Sequence, residues 1–236
     1  NRVQVRDSAT GNYLETFQGD ESTAGGGLLT PSGIAVARLG SQGVFVCDQR
    51  HGPRVCEYDR GTGALRRQLV PTCDVNTLSA CSLSPCEKLL AVTDSQMHRV
   101  HIFTLNGPRP PLVFGEQGFR DGQFMFPSDV CFSADGQFIL VADRENHRIQ
   151  IFELDGTFVR QIKLASHADC VVCQTEGHIL TVDDSGLSMF SMAGDVMFSK
   201  IGGLNLRYSN LSGLAVDLND GKIAVADELN SQVHVV

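Results

Sequence analysis

Short segments in which apolar and polar residues alternate recur along the chain. Residues 127–132, 137–143, 147–152 and 157–162 each read as a β-strand, because they alternate or are rich in β-branched and aromatic residues. Two Asp-Gly dipeptides stand between these segments and are typical of tight turns. The stretch therefore predicts a four-stranded antiparallel meander of about forty residues, the usual size of a propeller blade.

The same unit recurs along the rest of the chain. Its second strand ends in an aspartate each time, and successive aspartates are 46, 49, 40 and 44 residues apart. They are Asp48, Asp94, Asp143, Asp183 and Asp227. Repeated four-strand units at this spacing predict a β-propeller, whose ring closure removes most exposed sheet edges. We therefore predict a single all-β domain over residues 1–236.

Strand counting favours six blades. Residues 1–5 match residues 230–234, so the chain begins at the third strand of a blade, and the last unit ends after its third strand. The total is 21 strands, three short of six blades of four. We expect a six-bladed β-propeller of four-stranded antiparallel blades, whose first blade is incomplete in this chain and whose missing strands come from an N-terminal extension.

Charge and hydropathy narrow the class of partner. The formal net charge is −8 and the sequence pI is about 5.3, which disfavours a domain that relies on phosphate contacts. No apolar run approaches the roughly 18 residues of a membrane-spanning helix, and the chain does not open with a secretory signal. We expect no membrane association, and we expect nucleic acid only over a local basic patch.

The eight cysteines do not suggest a disulfide framework. Cys47 and Cys131 lie within strand-like apolar runs, where a free cysteine behaves as a small buried residue. Cys170 and Cys173 form a CxxC, but this spacing within a strand sends the two side chains to opposite faces, which disfavours zinc. The pattern predicts reduced thiols and an intracellular, cytoplasmic protein without a cofactor.

An acidic and a basic residue flank the turn between the second and third strands of several units. An aspartate at a strand end can accept backbone amides, and an arginine on the facing strand can bind its carboxylate. We interpret these residues as structural staples of the hairpin and not as catalytic acids. The predicted staples are Asp48 with Arg54, Asp94 with Arg99, and Asp143 with Arg148.

Residues 114–130 followed by 141–152, with Asn146-His147-Arg148 in the turn, resemble an NHL repeat. The resemblance covers essentially the whole chain and is strong only in the unit around Asp143. It implies a six-bladed propeller, most often the C-terminal module of tripartite-motif (TRIM) ubiquitin ligases. In that family the module recruits substrates or partners, and in several members it binds RNA.

Loops on a rigid scaffold are the usual place for recognition. The turns after each second strand share one face of a propeller with the connectors between blades, and we predict partner binding there. The candidate residues are Arg50, His51, Met97, His98, Arg120, Arg144, His147 and Tyr208. His51, His98 and His147 recur at equivalent positions, but neighbouring blades hold them too far apart for one zinc ion.

No convergent catalytic set is apparent, so we expect no enzymatic activity in this domain, and no catalytic or metal site. A zinc-dependent peptide-amidating lyase has a similar propeller, but nothing here shows its disulfide-rich character. The leading hypothesis is a protein-interaction propeller that holds substrates for a TRIM-NHL ubiquitin ligase, whose RING domain would lie elsewhere in a longer chain. The alternative is an RNA-binding propeller acting in post-transcriptional regulation, through the Arg and His residues of the loops.

Overall fold

The computed structural model describes residues 2–6, 10, 12–17, 28, 30–40, 42–49, 52–107, 109–183, 186–199, 211–216, 222–227 and 232–235. The regular structure in these ranges is β-strand, apart from one 3₁₀ turn at Arg144–Asn146. None of the helical structure in these ranges is long and apolar enough to cross a membrane.

The strands form antiparallel sheets in sequence order. An N-terminal hairpin pairs β1 (Val3–Arg6) with β2 (Tyr13–Phe17). Blade 1 contains β3 (Ile34–Val36), β4 (Gly43–Asp48), β5 (Arg54–Asp59) and β6 (Leu65–Leu69). Blade 2 contains β7 (Leu78–Leu83), β8 (Leu89–Asp94), β9 (Arg99–Thr104) and β10 (Leu112–Phe114).

Three further blades follow in the same order. Blade 3 contains β11 (Pro127–Phe132), β12 (Phe138–Asp143), β13 (Arg148–Glu153) and β14 (Phe158–Lys163). Blade 4 contains β15 (Cys170–Cys173), β16 (Ile179–Asp183), β17 (Gly186–Phe190) and β18 (Val196–Ser199). Blade 5 contains β19 (Leu211–Val216), β20 (Ile223–Asp227) and β21 (Gln232–Val235).

The predicted all-β propeller of four-stranded antiparallel sheets is confirmed, but the number of blades differs. The described residues form five blades, of which blade 5 has three strands, and not the six that strand counting predicts. In the described part of the chain β1 pairs with β2 alone, so this hairpin lacks the two inner strands that a blade requires.

The apolar core is divided into layers between neighbouring blades. Val55 and Cys47 of blade 1 pack with Leu90 and Val92 of blade 2, and equivalent clusters lie between the later blades. This arrangement follows from the strands, whose central members are apolar on both faces and therefore need a sheet on either side. The inter-blade layers hold the turns at the ends of the strands in fixed relative positions.

The first strands of the five blades surround the propeller axis. They line a cavity of about 480 Å³, to which Cys81, Asp129 and Cys173 contribute. Serine hydroxyls fasten these inner strands to their neighbours: Ser32 Oγ donates to Leu78 O at 2.7 Å, and Ser128 Oγ donates to Ala168 O at 2.6 Å. The inner ring is therefore held by polar links as well as by packing.

Candidate functional site

The turns after the second strands meet the connectors between blades on one face of the propeller, here called the loop face. In blade 3 the Glu145 amide donates to Met125 O at 3.1 Å, which joins the turn to the connector before β11. The Leu164 amide donates to His147 O at 2.8 Å, which joins the same turn to the connector after β14. The two connectors thus flank the turn at residues 144–147 and fix its backbone.

A buried carboxylate organises this turn. Asp143 is fully buried, and its Oδ2 accepts from Arg148 Nε at 2.7 Å and from Asn146 Nδ2 at 2.8 Å. Its Oδ1 accepts from the Met125 amide at 2.7 Å. Gln150 Nε2 also donates to Oδ2, at 3.1 Å. These bonds give the predicted Asp143 and Arg148 pair the geometry of a staple.

Arg148 extends this network to the preceding connector. Its Nη2 donates to the backbone oxygens of Arg120 and Gln123, at 2.8 Å each. In blade 1 the equivalent pair is also present, with Arg54 Nη2 3.2 Å from Asp48 Oδ2 and both side chains buried. Asp48 Oδ1 accepts from the Thr30 amide at 3.1 Å.

Blade 2 departs from the expected pairing of Asp94 with Arg99. Arg99 Nη1 lies 3.8 Å from Cys73 Sγ, and the structure records no ion pair between its guanidinium and Asp94 in the described part of the chain. Asp94 instead faces the buried His101, whose Nε2 lies 3.9 Å from Asp94 Oδ2. The Asp94 carboxylate accepts the amides of Asn76 and Thr77, at 3.1 and 3.0 Å, and Arg99 is directed to Cys73 instead.

The electrostatics of Asp94 follow from these contacts. Burial raises the pKa of its carboxyl, but the His101 ring and the backbone amides that point at it have the larger combined effect. The pKa of Asp94 is therefore lowered from its usual value, and the residue stays ionised at neutral pH. It acts as a fixed acceptor for the connector before β7.

The structure places His98, one of the predicted partner-binding residues, in the protein interior. The side chain is buried, and its Nδ1 accepts from the Phe126 amide of the next connector at 3.0 Å. The two rings also meet edge to face, with centroids 4.7 Å apart. Burial lowers the pKa of His98 against the opposing effect of Asp143 and Asp94, so the ring remains neutral. Met97, beside it, is half-buried.

Arg144 and His147 lie in the blade 3 turn, and both are engaged by neighbouring side chains. Arg144 Nε donates to Asp169 Oδ1 at 2.9 Å, and its Nη1 donates to Glu145 Oε1 at 2.5 Å. The exposed His147 ring stacks on His167, with centroids 4.7 Å apart and planes at 14°. Turn and connector therefore present a preformed polar surface.

Phe119 and Arg120 are neighbouring residues of the connector before β11. Arg120 is exposed, and Phe119 beside it has 76% of its surface accessible, the highest value of any large apolar side chain in the described ranges. Next to Phe119 lies a surface cavity of about 370 Å³, here called the rim cavity. The other residues that line the rim cavity are Asn146, His147, Arg148, Gln161, Lys163 and Leu164.

The predicted residues therefore divide into groups. Arg120, Arg144 and His147 come together around the blade 3 turn, whereas Met97 and His98 belong to blade 2. Arg50, His51 and Tyr208 lie outside the described residues. No group of three or more His, Cys, Asp or Glu side chains in the described part of the chain could hold a metal ion.

The match to a known family lies in blade 3, the blade that contains this turn. The NHL repeat model matches residues 124–152, which run from the connector before β11 through β13. These residues therefore resemble an NHL repeat. The repeat contains Asp143, Asn146, His147 and Arg148, so the staple network lies within the matched segment.

Curated relatives resemble part of the chain. Protein brain tumor of Drosophila melanogaster is 34% identical over 97 residues, which is 40% of this chain and 9% of that protein. E3 ubiquitin-protein ligase TRIM71 of Xenopus tropicalis is 49% identical over 49 residues, 21% of this chain and 6% of that protein. Protein lin-41 of Caenorhabditis elegans is 44% identical over 50 residues, 21% and 4% respectively. The matched region is less than a tenth of the length of each relative.

A solved structure supports the fold over the whole chain. The hydrazine synthase of Kuenenia stuttgartiensis matches 99% of this chain and 70% of its own, with a TM-score of 0.72 and 15% identity. At this identity the likeness concerns the propeller fold alone.

Sequence reasoning missed several contributors to the loop face. Phe119 lies between Gly118 and Gly122, whose positive φ values of 158° and 80° the glycines permit. An apolar residue in such a glycine-flanked segment is the signal that could have marked it as exposed. Lys163 lies at the end of β14 and Asp169 lies in the next connector. Only the fold brings Lys163 to the same cavity as His147 and brings Asp169 to Arg144.

Proposed function

We propose that this chain is a non-catalytic protein-interaction propeller that recruits partners or substrates through its loop face, within a ubiquitin ligase of the TRIM-NHL type. The carrying observation is the rigid blade 3 surface, where exposed Phe119, Arg120 and His147 stand on a backbone fixed by buried Asp143. Exposed aromatic and cationic groups on a preorganised scaffold are typical of protein interfaces.

The proposal that this domain belongs to a ubiquitin ligase is supported by the curated relatives. TRIM71 is named as an E3 ubiquitin-protein ligase, and its resemblance to this chain falls on 21% of the chain. A ligase needs a module that selects substrates, and a non-catalytic propeller with an exposed face suits that role. We place the ligase chemistry outside this domain and the protein in the cytoplasm, consistent with eight free thiols.

The blade number belongs to the same proposal. Val3 of the N-terminal hairpin packs against a cluster in blade 1 that includes Val44, Val46 and Tyr58. Each complete blade packs on its neighbour through a similar layer. We therefore assign β1 and β2 to a sixth blade of the ring.

RNA binding is the second candidate. The exposed rings of Phe119 and His147 beside Arg120 favour it, because bases stack on aromatic side chains and phosphates bind arginine. The net charge of −8 opposes it, since a domain this acidic repels a phosphate backbone away from the local patch.

Affinity capture from cell lysate with quantitative mass spectrometry tests the proposal. The variant combines Arg120→Ala with His147→Ala, both exposed on the loop face. The control combines Arg38→Ala with Lys88→Ala, exposed at the opposite end of the strands. We expect ubiquitin-pathway substrates to be captured by the wild type and the control, and lost from the variant.

A parallel titration uses fluorescent single-stranded RNA. If RNA bound with micromolar or tighter affinity that fell steeply with salt, and no protein were lost from the loop-face variant, the RNA-binding alternative would replace this proposal.

A further inference from the structure

The rim cavity combines an apolar wall with a cationic one. Phe119 stands on one side with 76% of its surface accessible, and Lys163, at the end of β14, stands on another. The cavity volume of about 370 Å³ suits one or two side chains and is too small for a folded domain.

The two cations that line the rim cavity differ in their partners. Arg148 is neutralised by buried Asp143, to which it donates at 2.7 Å. Lys163 is exposed, and the described part of the chain offers its ammonium group no hydrogen bond or ion pair. Among the described residues no carboxylate lines the cavity, and the nearby Asp121 is turned to Arg148 and Gln161, with its Oδ1 4.0 Å from Arg148 Nη1 and 3.3 Å from Gln161 Nε2. Lys163 is therefore the lining cation that has no carboxylate partner in the described part of the chain.

The floor of the rim cavity is fixed before any ligand binds. Asn146 Nδ2 donates to Gly118 O and to Asp143 Oδ2, at 2.8 Å each. Gln161 Oε1 accepts from Arg148 Nη1 at 3.1 Å. A preorganised polar floor lowers the entropy cost of binding a short segment.

We propose that the rim cavity holds an acidic segment of a partner protein, with a carboxylate side chain on Lys163 and a neighbouring aromatic or aliphatic side chain against Phe119. This assignment rests on the protein-recruiting function proposed above. A peptide needs one carboxylate to match Lys163, whereas RNA would bring successive phosphates past Asp121 and Glu116, which are both exposed. The charge pattern therefore favours a peptide over a nucleic acid.

Selection from a library of random peptides tests this assignment with synthetic ligands. The library is displayed and selected on the 236-residue chain, and the affinities of enriched synthetic peptides are measured by fluorescence polarisation. Lys163→Ala and Phe119→Ala are compared with the matched variants Lys88→Ala and Leu39→Ala, which are exposed at the opposite end of the strands. A Lys163→Glu variant is selected separately.

We expect enriched peptides to carry Asp or Glu beside an aromatic or aliphatic residue. Lys163→Ala and Phe119→Ala should each weaken the affinity for these peptides about tenfold, and the matched variants should leave it unchanged. Lys163→Glu should select Lys or Arg at the acidic position. Enrichment without acidic residues, no enrichment, or unchanged affinity in both cavity variants would overturn the assignment.

The capture experiment above separates the two proposals. If partners are lost from the loop-face variant but are retained by Lys163→Ala and Phe119→Ala, the recruiting function stands and the rim cavity is not its binding site. If single-stranded RNA binds the wild type and the cavity variants lower its affinity, the cavity belongs to a nucleic-acid site and the peptide assignment is wrong.

Discussion

Asp143 and Arg148 close the turn between β12 and β13 through a buried hydrogen bond of 2.7 Å from the guanidinium Nε to the carboxylate Oδ2. The same carboxylate accepts the Met125 amide at 2.7 Å, and the same guanidinium donates to two backbone oxygens of that connector. One ion pair thus joins the turn, the third strand and the incoming connector. It fixes the backbone from which Phe119, Arg120 and His147 project.

Asp143→Ala should destabilise the fold by about 3 kcal/mol or more, because it leaves the buried Arg148 without its counter-ion. Glu145→Ala in the same turn should cost about 0.5 kcal/mol or less, since Glu145 is partly exposed and its contacts with Arg144 and His167 are screened by water. Urea unfolding followed by circular dichroism measures both. Equal midpoints for the two variants would show that Asp143 does not act as a staple.

The fold class could be predicted from the sequence because every repeat contains the local signals of the same four-stranded sheet. Alternating strands, Asp-Gly turns and terminal aspartates are local signals, and each repeat reports the same four-stranded sheet. The blade number depends on how the ends of the chain pack, which no local pattern contains. Strand counting therefore predicts six blades, whereas the described residues form five blades and an N-terminal hairpin.

The candidate site was less predictable, because equivalent positions differ in their surroundings. His98 and His147 both precede the third strand with φ near 50°, at 55° and 52°. Phe126 covers His98, whereas His147 stacks on the partly exposed His167 and remains accessible. Which residue the neighbouring connector places over each loop is a tertiary property, so a repeat alignment cannot separate the buried histidine from the exposed one.

The N-terminal hairpin offers a test of the sixth blade. Val3→Asp should destabilise the fold by about 1–3 kcal/mol, because Val3 packs on the cluster of blade 1 and a carboxylate there would be partly desolvated. Gln4→Asp, on the exposed side of the same strand, is the matched control and should change stability little. Thermal melts of the two variants that coincide would indicate that the hairpin is not packed as part of the ring.

Inner-strand packing predicts a strong effect at one glycine. A Cβ on Gly33 would lie 2.5 Å from Ala80 Cα, a backbone atom that cannot move aside without displacing β7. Gly33→Ala should therefore cost about 1–3 kcal/mol or more. Gly213→Ala is a matched control at the equivalent point of β19, where the nearest atom, Ala226 Cβ, is 3.4 Å away. Similar losses of stability in both variants would mean that β3 and β7 are not so closely packed.

The buried carboxyl of Asp129, on the innermost strand of blade 3, should make the stability of the fold depend on pH. Burial raises the pKa of its carboxyl to about 6, although the Val171 and Val130 amides donate to it at 2.9 and 2.8 Å. Because an aspartate in an unfolded chain has a pKa of about 3.9, the folded state binds the proton more tightly. The resulting stabilisation is complete below about pH 4 and is lost as the pH rises through about 6.

Urea unfolding of the wild type and Asp129→Asn at several pH values between about 4 and 7 measures this linkage. The asparagine keeps one acceptor oxygen for the backbone amides but has no carboxyl to titrate, so it removes the dependence. The wild type should lose about 2 kcal/mol relative to the variant over that range, at about 1.4 kcal/mol per unit of pKa shift. Asp135→Asn is the control: the Ser133 hydroxyl and the Gln137 amide lower the pKa of Asp135, so its stabilisation is present above an unfolded pKa of about 3.9 and changes little over that range. A difference between wild type and Asp129→Asn that stayed constant with pH would mean that the carboxyl is solvated within the axial cavity.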